Sequence, residues 1–168
     1  MRVLFVVRDM NVCERLGIMY LSSVAKRAGC QTALATMDNL NFDNIFARYK
    51  PDIVAYSVHT GEHEDIIGLN KKLKKKNKFI SVFGGPHPTF FPEMISSDGV
   101  DVVCVGEAED TFRELLVAVQ RGKSIKRIKG LWVKDERGKI TRNHVRPLKN
   151  NLDEIPFPDR EIVYDYNV

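Results

Sequence analysis

The stretch DIVAYSVHTGEH, residues 52–63, joins a run of mostly apolar residues to a polar loop that contains a glycine. The same arrangement recurs in RVLFVV (2–7), FISVFGG (79–85) and DVVCVGE (101–107), each followed by or ending in polar and glycine residues. Short apolar runs bounded by turn residues are typical of the buried strands of a parallel sheet. Because ligands of such sheets bind beyond the carboxyl ends of the strands, we expect the four exits to form one site.

Helical patterns separate the strands. QTALAT (31–36) is a further strand, and helices are predicted over residues 16–29, 41–49, 64–76, 91–97 and 109–120. Five alternating strands and helices predict an α/β fold with a doubly wound five-stranded parallel sheet, Rossmann-like or flavodoxin-like, in the order 2-1-3-4-5. A C-terminal β-hairpin turning at Arg137 and Gly138 and an extended tail follow. We therefore divide the chain into a domain of residues 1–128, a hairpin of 129–145 and a linker of 146–168.

Composition excludes several classes of function. The net charge of +4 comes from 26 basic and 22 acidic residues, and much of the excess lies in KKLKKKNK (71–78), which we interpret as the solvated end of a helix. Since no aromatic residues are interleaved with it, no nucleic-acid partner is expected. The N-terminal apolar run is too short for a signal peptide and no run is long enough for a membrane span, so a cytoplasmic location is expected. Three widely spaced cysteines indicate neither a disulfide framework nor a zinc site.

The absence of known motifs argues against several classes of ligand-binding α/β domain. The first strand is followed by RDMNVC instead of Gly-x-Gly-x-x-Gly, and no Gly-x-x-x-x-Gly-Lys phosphate loop occurs. A phosphoacceptor receiver would need Asp after strand three and Lys after strand five, where this chain has Ser57 and Gly106. The sequence GGPHP (84–88) has two successive glycines, which suit either a tight turn or the close approach of a large ligand. In GEAED (106–110) the acidic pair can stabilise the N-terminus of the next helix, whereas capping does not explain the glycine.

Taken together, the strand exits resemble a known family. Ser57 with Thr60, the pair Gly84 and Gly85, and the run 106–109 look like the cobalamin-binding domain at the N-terminus of cobalamin-dependent radical S-adenosylmethionine enzymes. The segments RLGIMYLSSVAKRAG and LDEIPFPDRE are similar to that family too, so the resemblance covers essentially the whole chain. It implies that cobalamin is the cofactor and that the binding residues are Asp9, Asn11, Leu16, Gly17, Ser57, Val58, His59, Thr60, Gly84, Gly85, Pro86, His87, Gly106, Glu107, Ala108 and Glu109.

The resemblance also implies roles within this set. Gly84 and Gly85 would admit the nucleotide tail of the cofactor, and Ser57 and Thr60 would hydrogen-bond it. The run 106–109 would line the far wall, and the loop 9–17 would face the corrin ring. A Gly85→Val substitution is accordingly expected to block the channel of the tail without unfolding the domain.

Two departures from corrinoid proteins limit what the chain can do. The wider family carries Asp-x-His-x-x-Gly after strand one, whereas here Asn11 takes the histidine position and Glu14 the glycine position. We therefore expect no histidine lower ligand to cobalt from this loop, and His59 and His87 only as contacts. The Cys-x-x-x-Cys-x-x-Cys cluster of radical S-adenosylmethionine enzymes is also missing. The 4Fe-4S cluster and S-adenosylmethionine are expected only in a downstream domain, which would be the partner of this one.

No catalytic or metal-ligating residue is therefore predicted in this segment. Its expected role is to hold the corrinoid for methyl transfer or related radical chemistry by the downstream domain. The alternative is a flavodoxin-like module that binds a flavin or nucleotide, or a regulatory interaction domain in which the glycines serve turns alone.

Overall fold

The computed structural model describes residues 1–10 and 15–164. Its strands are β1 (Arg2–Val7), β2 (Gln31–Thr36), β3 (Ile53–Ser57), β4 (Ile80–Gly84), β5 (Val102–Cys104), β6 (Leu131–Lys134) and β7 (Ile140–Arg142). Its α-helices are α1 (Leu16–Arg27), α2 (Phe42–Tyr49), α3 (His63–Lys74), α4 (Pro86–Phe90), α5 (Glu109–Gln120) and α6 (Glu161–Tyr164). Short 3₁₀ helices span Pro92–Ser96 and Leu152–Glu154. None of the helices in these ranges is both long and apolar enough to cross a membrane.

The strands form one sheet in the order β2-β1-β3-β4-β5-β6-β7. β1 to β5 pair in parallel, and the hairpin β6-β7 adds to the edge of β5 in antiparallel pairing. The predicted parallel order 2-1-3-4-5 with a C-terminal hairpin is confirmed. The strand order reverses between β1 and β3, so the switch point lies at the exits of these two strands.

Strand alternation divides the core into two apolar layers. Along β1, Val3, Phe5 and Val7 face the side of α1 and α5, while Leu4 and Val6 face the side of α2 and α3. Because successive side chains of a strand point to opposite faces, every parallel strand serves both layers. Helices therefore cover both faces of the sheet, as the doubly wound fold requires.

The buried face of α1 differs from the predicted one. The sequence pattern favours Leu16, Met19, Tyr20 and Val24 as inward residues; Met19 and Val24 are buried, but Leu16 is exposed and Tyr20 is only half-buried. Ile18, Ser22 and Ala25 are buried too, and they follow the four- and three-residue spacing of one helical face. Leu16 is thereby left at the mouth of the cleft described below.

The segment after β4 is more helical than predicted. The expected proline-interrupted turn is α4, whose first residue is Pro86, and the expected helix over 91–97 is the 3₁₀ helix Pro92–Ser96. Proline is well suited to the first position of a helix, because its missing N–H has no intrahelical partner there and its φ is already helical. Pro86 and Pro92 of GGPHPTFFP thus begin short helices.

The predicted linker folds back onto the domain. Arg146 and Lys149 pair with Glu114 and Asp110 of α5. Further along, the Asp159 carboxylate accepts from Ser22 of α1, and Ile162 of α6 is buried against the same layer. Leu152 and Phe157 remain exposed. The tail therefore runs across α5 to α1. The division into residues 1–128, 129–145 and 146–168 stays a prediction.

Candidate functional site

A cleft of about 370 Å³ opens at the carboxyl ends of β1, β3, β4 and β5, between α1 and α5. Its floor is apolar because one side chain from each strand points to this face of the sheet: Phe5, Ala55, Val82 and Cys104. Phe112 of α5 and Ile18 and Leu21 of α1 complete the walls. The arrangement fits a ligand with an apolar part that inserts between the helices and polar groups that stay at the rim.

Gly84 widens this cleft. It lies two residues after Val82 and therefore on the same face of β4. A Cβ at Gly84 would lie 4.0 Å from the Cβ of Cys104, which is an ordinary contact, and would project towards the floor. On the opposite wall, a Cβ at Gly17 of α1 would meet nothing within 4 Å. Both positions leave space that a larger residue would fill.

Gly85 is required by the close packing of the backbone around it. Its φ is +105°, and a Cβ there would lie 2.9 Å from the carbonyl oxygen of Val58 and 3.0 Å from its nitrogen. The two exits are also joined by hydrogen bonds from Val58 N to Gly84 O (2.8 Å) and from His87 N to Val58 O (3.1 Å). The geometry contradicts the expectation that a valine at position 85 would leave the fold undisturbed, while its effect on ligand binding stays a prediction. The added side chain would strike the backbone of the neighbouring exit.

The structure brings most of the predicted site residues to the cleft. The residues that line it are Leu16, Gly17, Ser57, His59, Gly84, Gly85, Pro86, Gly106, Glu107, Ala108 and Glu109. Three others do not line it: Val58 is fully buried, Thr60 is exposed, and His87 is buried. Asp9 lies beside the rim, where its carbonyl oxygen accepts from Arg15, and Asn11 lies outside the described residues. The ligand-binding role of the whole set remains a prediction.

His87 packs under the β3 exit, away from the cleft. Its ring stacks on His63 with 4.0 Å between centroids and on Phe91 with 5.1 Å, and its Nδ1 lies 3.2 Å from the Thr60 hydroxyl. Burial and the nearby His63 lower the pKa of His87, so its neutral form is favoured. This geometry indicates a packing role for His87 and explains why Thr60 is turned away from the cleft.

Arg15 lines the cleft and was missed by sequence reasoning. It is the residue before α1 and is only 7% exposed. Its Nη2 donates to the carbonyl oxygen of Asp9 (2.8 Å), and its Nη1 lies 3.3 Å from the Nδ1 of His59. A cation at the start of a helix opposes the helix dipole. That unfavourable placement is the signal in the sequence that could have drawn attention to this residue.

The contact with Arg15 defines the proton position on His59. A guanidinium group can only donate, so the Nδ1 of His59 accepts and its Nε2 carries the proton. The Glu62 carboxylate lies 3.5 Å from the same Nδ1, but it can only accept, so it forms no hydrogen bond with a nitrogen that itself accepts from Arg15. His59 therefore presents an N–H donor and has no free nitrogen lone pair for a metal.

Cys104 is the polarisable group on the cleft floor. Burial raises the pKa of its thiol to about 12, and the negative charge of Glu109 acts in the same direction. The thiol therefore stays protonated and packs as an apolar residue. Within the described ranges, no group of three or more His, Cys, Asp or Glu side chains could hold a metal ion.

The fold and the cleft define a class of protein: a doubly wound α/β domain that binds its ligand at the carboxyl ends of its parallel strands. A family model described as the B12 binding domain matches residues 3–116. The chain belongs to the B12-binding domain family.

One curated protein is similar over most of this chain. The chain is 35% identical over 155 residues to an uncharacterized methyltransferase, PH0819, of Pyrococcus horikoshii, an alignment that covers 88% of this chain and 34% of that protein. The chain thus spans about a third of the length of this curated relative.

Two solved structures share the fold. One is OxsB, a cobalamin-dependent S-adenosylmethionine radical enzyme with aqua-cobalamin bound (TM-score 0.77, 23% identity, 99% of this chain and 25% of that chain). The other is TsrM from Kitasatospora setae, a radical S-adenosylmethionine methyltransferase with cobalamin and a [4Fe-4S] cluster bound (TM-score 0.75, 18% identity, 94% and 31%).

Proposed function

We propose that this chain is the cobalamin-binding part of a larger radical S-adenosylmethionine enzyme of the methyltransferase type. The observation that carries the proposal is the apolar cleft between α1 and α5, which opens beside the switch point of a B12-binding fold. A bound cobalamin would supply a cobalt centre that can carry a methyl group or take part in radical chemistry. The residues of this chain would bind and orient it.

The cleft suits one part of this cofactor. Cobalamin combines a large corrin ring with a nucleotide tail that ends in an aromatic base. A volume of about 370 Å³ lies in the lower part of the range for small-molecule pockets, so it fits the tail and leaves the ring at the mouth. The floor formed by Phe5, Val82 and Phe112 offers apolar contacts to a flat base, and the missing side chain at Gly84 provides depth.

Polar groups at the rim would fix the orientation of the ligand. The Ser57 side chain and the N–H of His59 lie on the β3 side, and the run 106–109 lies on the β5 side. Gly106 has a φ of +83°, so its backbone conformation favours glycine, and the Thr89 hydroxyl accepts from its nitrogen (3.3 Å). We propose that these groups contact the tail and the edge of the ring, while Thr60 and His87 support the β3 exit from behind.

The lower face of the cobalt would receive no histidine from this chain. Asn11 stands at the motif position of the ligand histidine, His59 uses its Nδ1 to accept from Arg15, and His87 is packed away from the cleft. Electron paramagnetic resonance of the cobalt(II) form tests this. We expect no protein nitrogen splitting, and a splitting that disappears in His59→Ala or His87→Ala would refute the assignment.

We further propose that the natural protein continues beyond residue 168 into a domain with the Cys-x-x-x-Cys-x-x-Cys cluster. The support is the relative that is about three times as long, together with the two enzymes that share the fold. Reading the gene downstream of the codon for Val168 tests this directly. A stop codon there would leave a free-standing corrinoid carrier.

Incubation of the chain with hydroxocobalamin, followed by desalting, tests the binding itself. We expect the protein peak to carry corrinoid absorbance, and flavin mononucleotide treated in the same way to be lost on the column. A protein peak without corrinoid absorbance would contradict the proposed function. Retention of the flavin instead would favour the flavodoxin-like alternative.

A further inference from the structure

Arg15 is a buried cation at the mouth of a cleft that is otherwise apolar at its floor. It is 7% exposed, and its Nε, which is buried, has no hydrogen-bond partner among the described residues. Leaving a buried donor unpaired costs free energy, and the cost is greater for a charged group. Such a donor calls for an acceptor from a bound molecule, such as a water, an ion or a ligand in the cleft.

The charges around the cleft are divided between its two sides. The cationic side chain that lines it, Arg15, lies on the side of β1 and β3. Glu107 and Glu109 line the side of β5 and α5, and the Glu107 carboxylate already accepts from the Lys149 backbone N–H (2.8 Å). An anionic group at the mouth is therefore attracted to the Arg15 side and repelled from the other.

The guanidinium is held in place for such a ligand. Its Nη2 donates to the Asp9 carbonyl oxygen and lies 4.0 Å from the Asp9 carboxylate, and its Nη1 donates to His59. The 4.0 Å separation is at the limit of an ion pair, so the charge of Arg15 is only partly compensated. A guanidinium with a fixed orientation and an unpaired N–H is suited to two oxygens of one phosphate group.

We infer that Arg15 recognises the phosphodiester of the cofactor's nucleotide tail and so selects corrinoids that carry this anion. The inference rests on the proposed function, because it names the part of cobalamin that this residue binds. The aromatic base would insert towards Phe5 and Val82, and the phosphate, which lies between base and ring, would stay at the rim where Arg15 lies.

Two corrinoids that differ by the phosphate alone, cobinamide phosphate and cobinamide, test the inference by equilibrium dialysis with the whole chain. We expect the unmodified chain to bind cobinamide phosphate about tenfold more tightly, equivalent to about 1.4 kcal/mol. Arg15→Gln should abolish this preference and leave cobinamide affinity within about twofold, and Arg15→Lys should retain part of it. Arg8→Gln is the matched control, because Arg8 pairs with Asp65 on the exposed surface and does not line the cleft.

Three outcomes would overturn the inference. The first is equal affinity of the unmodified chain for both corrinoids, a result that needs no variant. The second is a preference for cobinamide phosphate that survives in Arg15→Gln. The third is an equal loss of affinity for both corrinoids in Arg15→Gln, which would indicate that Arg15 has a merely structural role. Failure of the unmodified chain to bind cobalamin at all would refute the proposed function and this inference with it, whereas the other outcomes leave the proposed function intact.

Discussion

At the scale of single residues, the adjacent glycines Gly84 and Gly85 serve different purposes. The first leaves room on the cleft floor, and the second lets the β4 exit pack against the backbone of Val58. Both line the cleft, but only Gly84 lacks a side chain that would project towards the floor, whereas a Cβ at Gly85 would meet the backbone of Val58. The difference can be tested by substituting each in turn.

Gly84→Val should weaken cobalamin binding about tenfold or more, because the added side chain fills space on the floor, and should leave the fold intact. Gly85→Ala should instead lower the free energy of unfolding by about 1–3 kcal/mol, because its Cβ combines a positive φ with a collision against backbone atoms. Urea unfolding of the apoprotein and corrinoid titration separate the two effects. A stable Gly85→Ala variant with weak binding would mean that the channel runs past Gly85.

Cys104 should resist alkylation. With its pKa raised from 9.0 to about 12, its thiolate fraction at pH 8 is about a thousandfold lower than that of an ordinary thiol, and its burial excludes the reagent as well. Iodoacetamide at pH 8 followed by mass spectrometry should therefore label Cys104 in urea but not in the native chain. Rapid native labelling would show that the cleft floor opens to solvent.

The raised pKa of Cys104 has a second consequence for stability. The neutral thiol is favoured in the fold, so its contribution is complete below pH 9 and is lost as the pH rises towards 12. Cys104→Ala should flatten the fall in stability over this range, measured by thermal unfolding. An unchanged pH profile would mean that other groups, such as the buried Tyr56, dominate.

Residue-level prediction from the sequence succeeded where topology alone decides the position. Ser57, Gly84 and Gly106 follow successive parallel strands, so they had to meet at one edge of the sheet. It failed for Arg15, whose importance depends on burial. It also could not separate Gly84 from Gly85, because the direction of a missing side chain depends on the φ of each residue and on the neighbouring loop.

At the scale of secondary-structure elements, the C-terminal tail is the segment whose structure was predicted least well from the sequence. Its extended, proline-punctuated character was visible, but its attachment to α1 was not. Ser22 and Asp159 are 137 residues apart in the chain, and no local pattern encodes such a contact. The pairing of β6 and β7 was predictable for the opposite reason, since a hairpin is made by neighbours in sequence.

Asp159 anchors this tail. Burial alone would raise its pKa, but hydrogen bonds from Lys26 and Ser22 and the charge of Lys26 outweigh that effect and hold the pKa below its ordinary value. A carboxylate whose pKa is lowered in the folded state stabilises it above the ordinary pKa, and the contribution is lost as the pH falls through the folded value.

Asp159→Asn should therefore lower the free energy of unfolding by about 1–2 kcal/mol at pH 7. The difference from the unmodified chain should shrink as the pH falls below 3.8. Asp43→Asn is a matched control, because the pair of Asp43 with Lys72 is exposed and is worth little. Equal losses in the two variants, or a difference that persists in acid, would contradict the role given to Asp159.

At the scale of the whole molecule, the sheet order and the layers followed from the alternation of strands and helices. The ligand-bound chain should be more stable than the apo chain, because a ligand that binds only the folded state adds about 2.7 kcal/mol at a hundredfold excess over Kd. For a chain of this length that corresponds to a rise in Tm of roughly 5–10 °C. Scanning calorimetry with cobalamin should show this rise, and flavin mononucleotide at the same concentration should not.

The path of the C-terminal tail also bears on how fast a ligand would enter and leave the cleft. From Arg146 on α5 to Asp159 on α1 the chain spans the two helices that form the walls of the cleft, and it is fastened to both. These contacts add to the direct packing of α1 on α5 and oppose a separation of the two walls. If a ligand inserts between α1 and α5, as proposed, we expect the release of either contact to speed its uptake and exchange, even though no residue of this segment lines the cleft.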